Sequence, residues 1–215
     1  MATNYGNAFF SPETTEYPAS VMPVWLEVKR RKIAGGTFSL SGVAKGTIYP
    51  AGMPVRLDKM GGTVTLLPTF KVVGAVDSAA TTLVLKPETN IIPAQSMVVG
   101  KMTTAGTVAK AITLGAATAL TGTDAGKYQF TITANSLGTL ADGDLLVIAT
   151  EAGSSKAAVL PNGLSWRQVV VDSSNATYGT IAVVTDGQVL ADRIPAMPDF
   201  YKAAMPGIEF EYELS

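Results

Sequence analysis

The sequence predicts an all-β fold, a short-stranded sandwich- or barrel-like body behind an extended N-terminal arm. Three observations predict it. Short runs rich in Val, Thr and Ala are bounded repeatedly by Gly, Pro or Asp, the spacing of strands joined by tight turns. Several runs alternate apolar and polar side chains with the period of two that a half-buried strand requires. No stretch longer than about two turns carries the 3.6-residue apolar repeat of an amphipathic helix.

The first element is the arm, residues 1–23. It holds Pro12, Pro18 and Pro23, with Tyr5, Phe9, Phe10 and Tyr17 set between small polar residues. Proline removes backbone donors and disfavours both helix and central strand. Aromatic rings are unusual in a segment that is merely solvated. The arm therefore reads as a strap that docks its rings, either on its own body or on a neighbour.

The body begins at Val24. There Val24, Leu26 and Val28 are expected to share one strand face and Trp25, Glu27 and Lys29 the other. Gly35-Gly36 is expected to break that run, and residues 37–40 to resume it. Further strands are predicted at 53–57, 64–67, 71–76, 82–86 and 97–102. Tyr128, Phe130 and Ile132 alternate with Gln129, Thr131 and Thr133, a half-buried strand. Residues 145–149 are continuously apolar, which predicts burial on both faces. Strands at 168–172 and 180–185 flank the polar turn Ser173-Ser174-Asn175. Last, Ile208, Phe210, Tyr212 and Leu214 alternate with Glu209, Glu211 and Glu213, one face apolar and the other acidic. The sequence Ile48-Tyr49-Pro50-Ala51 is echoed by Ile91-Ile92-Pro93-Ala94, and more faintly by Ile194-Pro195-Ala196; a duplicated unit and a recurring turn both account for the echo.

Composition narrows the chemistry. A chain of 215 residues buries roughly 70% of the surface its unfolded form exposes, so a core forms without staples. There is no cysteine, hence neither disulfide nor thiolate metal site. There is no histidine either, which removes the commonest general base, the commonest metal ligand and the usual pH switch. Net charge is −1 with 15% charged residues, giving no global attraction to nucleic acid or anionic membrane. Residues 1–10 lack the basic flank and apolar run of a secretory leader, and no apolar run is long enough to cross a bilayer. Synthesis in the cytoplasm, a soluble product and no cofactor are the expectations.

Motifs for catalysis are thin. Gly100-Lys101 and Gly126-Lys127 lack both the leading glycine and the following Ser or Thr of a phosphate loop. Asp142-Gly143-Asp144, even with Asp124 near it in a turn, reads as a hairpin turn rather than a calcium loop. No Gly-x-Ser-x-Gly elbow occurs, and no acid pair stands out for glycoside hydrolysis. Asn175-Ala176-Thr177 fits a glycosylation pattern but, without a leader, reads as a turn. Lys29-Arg30-Arg31-Lys32 is the one basic cluster. It is too narrow for a nucleic-acid surface; it protects an edge strand by charge, or pairs with the Glu209, Glu211 and Glu213 face within one subunit or across two.

A resemblance adds to this. The run Gly42-Val43-x-x-Gly46-Thr47, then Tyr49-Pro50-Ala51-Gly52-Met53-Pro54-Val55, is similar to the opening β unit of bacteriophage head-decoration and head-fibre proteins. Leu160-Pro161-Asn162-Gly163-Leu164, with Thr180-Ile181-Ala182-Val183-Val184 and Gly187-Gln188-Val189, resembles their closing unit. The pattern covers about two-thirds of the chain, with short glycine-based motifs. It implies an arm over 1–23, a first unit over 24–110 and a closing unit over 152–215. Residues 111–151 fit it less well and read as an insertion; 24–215 are able to form one domain.

The resemblance further implies a non-enzymatic virion protein on the outer surface of an icosahedral capsid, commonly a homotrimer. Such proteins clamp neighbouring copies of the major capsid protein or carry a fibre, and in several of them an N-terminal arm orders against the shell. Expected capsid contacts are Tyr5, Phe9, Phe10 and Tyr17 on the arm and Trp25, Lys29, Arg30 and Arg31 on the first strand. Lys32, Glu209, Glu211 and Glu213 are expected in charge pairing within the sheet or between subunits. Nucleic acid and membrane are not expected partners. A carbohydrate-binding module of a fibre, with Trp25, Trp166 or Tyr178 as a stacking platform, is the alternative; a carboxylate glycosidase is a third.

Overall fold

The computed structural model describes residues 14–17, 24–40, 43–58, 62–134, 136–172 and 177–213, with backbone alone at 14–17, 33 and 34. The expected arm aromatics Tyr5, Phe9 and Phe10 lie outside the described residues, as do Leu214 and the turn residues Ser173, Ser174, Asn175 and Ala176. In chain order the first half holds β1 (Thr14–Tyr17), β2 (Trp25–Ser39), β3 (Ile48–Tyr49), β4 (Pro54–Leu57), β5 (Val64–Leu66), β6 (Phe70–Val72), β7 (Thr82–Pro87), β8 (Val98–Thr104) and β9 (Thr107–Thr113). The second holds β10 (Thr118–Ala119), β11 (Tyr128–Thr131), β12 (Leu145–Ile148), β13 (Gly153–Ala157), β14 (Gly163–Ser165), β15 (Gln168–Val171), β16 (Tyr178–Leu190) and β17 (Ile208–Glu211). One short helix, α1 (Asp199–Ala203), precedes β17. The all-β prediction holds.

Three sheets share the work. The smallest runs β1-β15-β3; the second runs β17-β16-β14-β4-β5; the third has eight strands in the order β10-β11-β7-β6-β12-β8-β9-β13. The long strand β16 organises the second sheet. Along one edge it pairs with β2 over most of its length. Along the other it meets β14 at Val183 and Val184, and then β17, in parallel, from Gly187 to Leu190.

Three apolar clusters fill the spaces between layers. One joins Phe38, Tyr49, Met53, Val169 and Ile181 between the first and second sheets. A second gathers Phe70, Leu85, Phe130, Leu140 and Leu146 within the curl of the third sheet. The last lies where the third sheet meets the second and α1, around Leu67, Val147, Leu164, Val189 and Tyr201. Strand β12 separates two of them. Leu146 points into one cluster and Val147 into another, so its continuous apolar run is buried on both faces, as the sequence predicts.

Two expectations for β2 are corrected. Gly35-Gly36 does not end the strand, which continues from Trp25 to Ser39. Gly35 adopts φ +54, and a Cβ there would stand 1.7 Å from the carbonyl oxygen of Ile181, so glycine bends the strand while pairing survives. The face assignment also fails. Leu26 is 54% exposed, whereas Trp25 and Val24 pack against the apolar cluster at α1. Four register shifts between β2 and β16 break the two-residue alternation on which the expectation rested.

The Asp142-Gly143-Asp144 turn is observed as a turn. Gly143 has φ +88, Asp142 accepts from the Gly74 N–H at 2.7 Å, and Asp144 accepts from Lys101 at 2.7 Å and from the Ala141 N–H at 2.8 Å. The echo also has a structural content. Gly52 (φ +74) and Ser96 (φ +76) each stand one residue before a methionine and two before a strand, so a similar positive-φ turn leads into each strand, one residue further from the Pro-Ala pair in the second.

Candidate functional site

The two stretches that carry the resemblance are stitched to each other, and the stitching sets a tryptophan in place. Asn162 uses its side-chain amide as a strand residue uses its backbone: Oδ1 accepts from the Leu57 N–H at 2.8 Å and Nδ2 donates to the Leu57 carbonyl at 2.9 Å. Buried Ser165 accepts from the Met53 N–H and donates to the Pro50 carbonyl, both at 2.9 Å. A buried hydroxyl with both capacities met is a rigid anchor. The next residue, Trp166, donates its backbone N–H to Ala182 on β16 at 2.9 Å.

Trp166 is the centre of a platform. Its carbonyl accepts from the Trp25 indole N–H at 2.7 Å. The guanidinium carbon of Arg31 lies 3.6 Å from the ring centroid and that of Arg167 lies 3.7 Å from it. At that height two groups on one face would coincide, so the guanidiniums lie on opposite faces of the indole. Each contact is a cation–π stack, favoured by the planar, weakly hydrated guanidinium. Register seats Arg31 beside buried Val184, and the Trp166 backbone bonds to buried Ala182.

The charge of this face is positive and poorly compensated. Lys29 lies 3.7 Å from Glu27, both about half exposed, and register sets Asp186 across from Arg30. Neither Arg31 nor Arg167 has an ion pair among the described residues. Sequence reasoning singled out Trp25, Lys29, Arg30 and Arg31, and the structure brings Trp25 and Arg31 onto one platform. It missed Trp166 and Arg167 as partners of that cluster. The adjacent Trp-Arg pair after the Asn162-Gly163-Leu164 motif is the signal that would have found them.

The acidic strand is engaged elsewhere. β2 and β17 flank β16 on opposite edges, with Glu27 and Glu209 both level with Gln188. Glu209 accepts from Gln188 at 2.6 Å, and Glu213 pairs with Arg193. Lys32 is half-buried beside Val183. Among the described residues no ion pair joins Lys32 to Glu209, Glu211 or Glu213.

A second cation–aromatic cluster stands at the C-terminal end. The Lys202 ammonium lies 6.0 Å from the Phe210 centroid and 5.5 Å from that of Tyr212, donates to the Tyr212 hydroxyl at 2.8 Å and pairs with Asp199 at 3.1 Å. Burial works to lower its pKa, but Tyr212 and Asp199 outweigh that and hold it above the ordinary lysine value. Beside it Tyr201 is wholly buried, donating to the Val159 carbonyl at 3.0 Å, and burial pushes its phenol up strongly.

No protein-family model, curated protein sequence or solved structure matches the chain. The resemblance therefore rests on its own motif residues, and the platform on its geometry.

Proposed function

We propose that the protein is a non-enzymatic structural component of a phage virion that binds the outer surface of an icosahedral capsid, with the Trp25–Arg31–Trp166–Arg167 platform as the adhesive face. The observation that carries this reading is the doubly stacked indole: two guanidiniums held rigidly on Trp166, with no carboxylate partner among the described residues. Tryptophan and arginine are the side chains that dominate protein–protein hot spots. Their cationic face fits an acidic patch on the major capsid protein, and pre-stacking lowers the ordering cost of binding. Repetition of the contact over a lattice turns modest single affinities into durable attachment. As in the proteins it resembles, the assembling unit is a homotrimer.

The carbohydrate reading is less well served. A sugar needs an open aromatic face; both faces of Trp166 carry guanidiniums, Trp25 is half-buried with its N–H given to the Trp166 carbonyl, and of the three candidate rings Tyr178 alone is well exposed, at 63%. Titrating the purified protein onto expanded, undecorated phage capsids tests the proposal. Saturable binding at symmetry-related positions is expected; no saturable binding to any such shell ends the reading. A solution mass of one chain rather than three would remove the trimer.

A further inference from the structure

An apolar groove of about 720 Å³ opens between the first two sheets and the loop at residues 90–97. Its floor is the edge-to-face pair Phe38–Tyr49, with ring centroids 5.5 Å apart. Val43, Thr47, Leu66 and Met97 wall it, and Ile92 stands at its rim, 54% exposed. None of the described lining residues is charged. A concave, largely apolar site with an aromatic floor favours an aromatic occupant.

The chain carries such an occupant within reach. β1 enters the first sheet with Thr14 opposite Val171. Val171 in turn donates to the Thr47 carbonyl at 3.0 Å and accepts from the Gly46 N–H at 2.8 Å. Thr14 thus stands about two strand spacings, roughly 10 Å, from a wall of the groove. Phe10 and Phe9 stand four and five residues before Thr14, a reach of roughly 13–18 Å when extended. Residues 1–12 contain no charged side chain, as the described lining of the groove contains none. We propose that this groove is the seat of Phe9 and Phe10 of the same chain, the arm folding back over the end of the first sheet. This inference does not rest on capsid binding, and it takes Phe9 and Phe10 out of the set of expected capsid contacts.

The absence of native cysteine makes the test clean. In the full-length protein, Phe10→Cys combined with Ala94→Cys, a groove residue, is expected to oxidise to an intramolecular disulfide. Phe10→Cys with Ser154→Cys on the distant β13 is the control and is expected to stay reduced. A disulfide-linked dimer from the first pair would overturn the proposal in favour of arm exchange between copies. No cross-link above the control would overturn it as well. Hydrogen exchange on the chain without cysteines gives a second reading. Phe9→Ser/Phe10→Ser is expected to speed exchange at residues 43–49 and 90–97 by about tenfold while β12 is unchanged. Equal exchange in both chains would mean that the groove belongs to something other than the arm.

Discussion

Among the described residues two clusters place a cation against an aromatic ring, and they differ in what surrounds the charge. Lys202 has Asp199 and the Tyr212 hydroxyl within hydrogen-bond reach, and Arg193 nearby is paired with Glu213. Arg31 and Arg167 have only the indole between them. Two like charges about 7 Å apart repel by roughly 0.6 kcal/mol even with the full dielectric of water. The first cluster is complete within the chain and ties α1 to the C-terminal strand. The second holds an attraction for anionic groups that the described residues leave unmet. On the proposed function, similar chemistry serves cohesion in one place and adhesion in the other.

The sharpest way to break this contrast is to remove the ring both arginines share. Trp166→Ala is expected to weaken capsid binding by about 30- to 1,000-fold, the 2–4 kcal/mol of a central hot spot. A co-sedimentation titration on undecorated capsids reads it, and a loss under threefold would mean that the platform is not the contact. Arg31→Gln and Arg167→Gln should each cost about tenfold in the same titration. Both variants should also be less sensitive than the parent to a rise from low to high salt. If either change strengthened binding, the acidic-partner reading would fail.

How much of this was legible beforehand depends on register. Strand β17 was plain over Ile208–Glu211 because its alternation is strict, though it stops before Tyr212, which is 58% exposed and not part of an apolar face; β12 was plain because an unbroken apolar run of that length is buried on both faces. β9 escaped: its buried residues Val108 and Ala111 are three apart, since register shifts between β8 and β9 disturb the two-residue period. β13 is an edge strand of small and polar residues, mostly exposed, with no apolar pattern to read. The five residues of α1 are too few to show a helical period. At the site, the basic cluster on β2 was visible as neighbours in sequence. Trp166 was visible only as a sugar-stacking candidate; its contact with Arg31 was not, because a contact across β16 follows from the pairing of β14 and β2 with one strand, which local composition does not encode.

Stability measurements sharpen the other half of the contrast. Tyr201→Phe deletes one buried hydrogen bond and should cost about 1 kcal/mol in chemical unfolding at pH 7, with capsid affinity unchanged. A matching loss of affinity would show that the two clusters are coupled.

Lys202→Met should cost less, about 0.5 kcal/mol, because its partner Asp199 is 94% exposed and solvent screens the pair. The pH dependence distinguishes this charge effect from lost packing. Lys202 is held above its ordinary pKa in the folded state, so the native chain binds more protons than the unfolded chain once pH passes about 10.4. Stability then falls as pH rises. The contribution of Lys202 is complete below that value and disappears as pH climbs through the folded pKa. The gap between wild type and Lys202→Met is therefore expected to be constant from pH 7 to about 10 and to close above it. A gap that stays constant into stronger alkali would mean that the methylene stem packed on Phe210 and Tyr212, rather than the ammonium, holds the C-terminal strand.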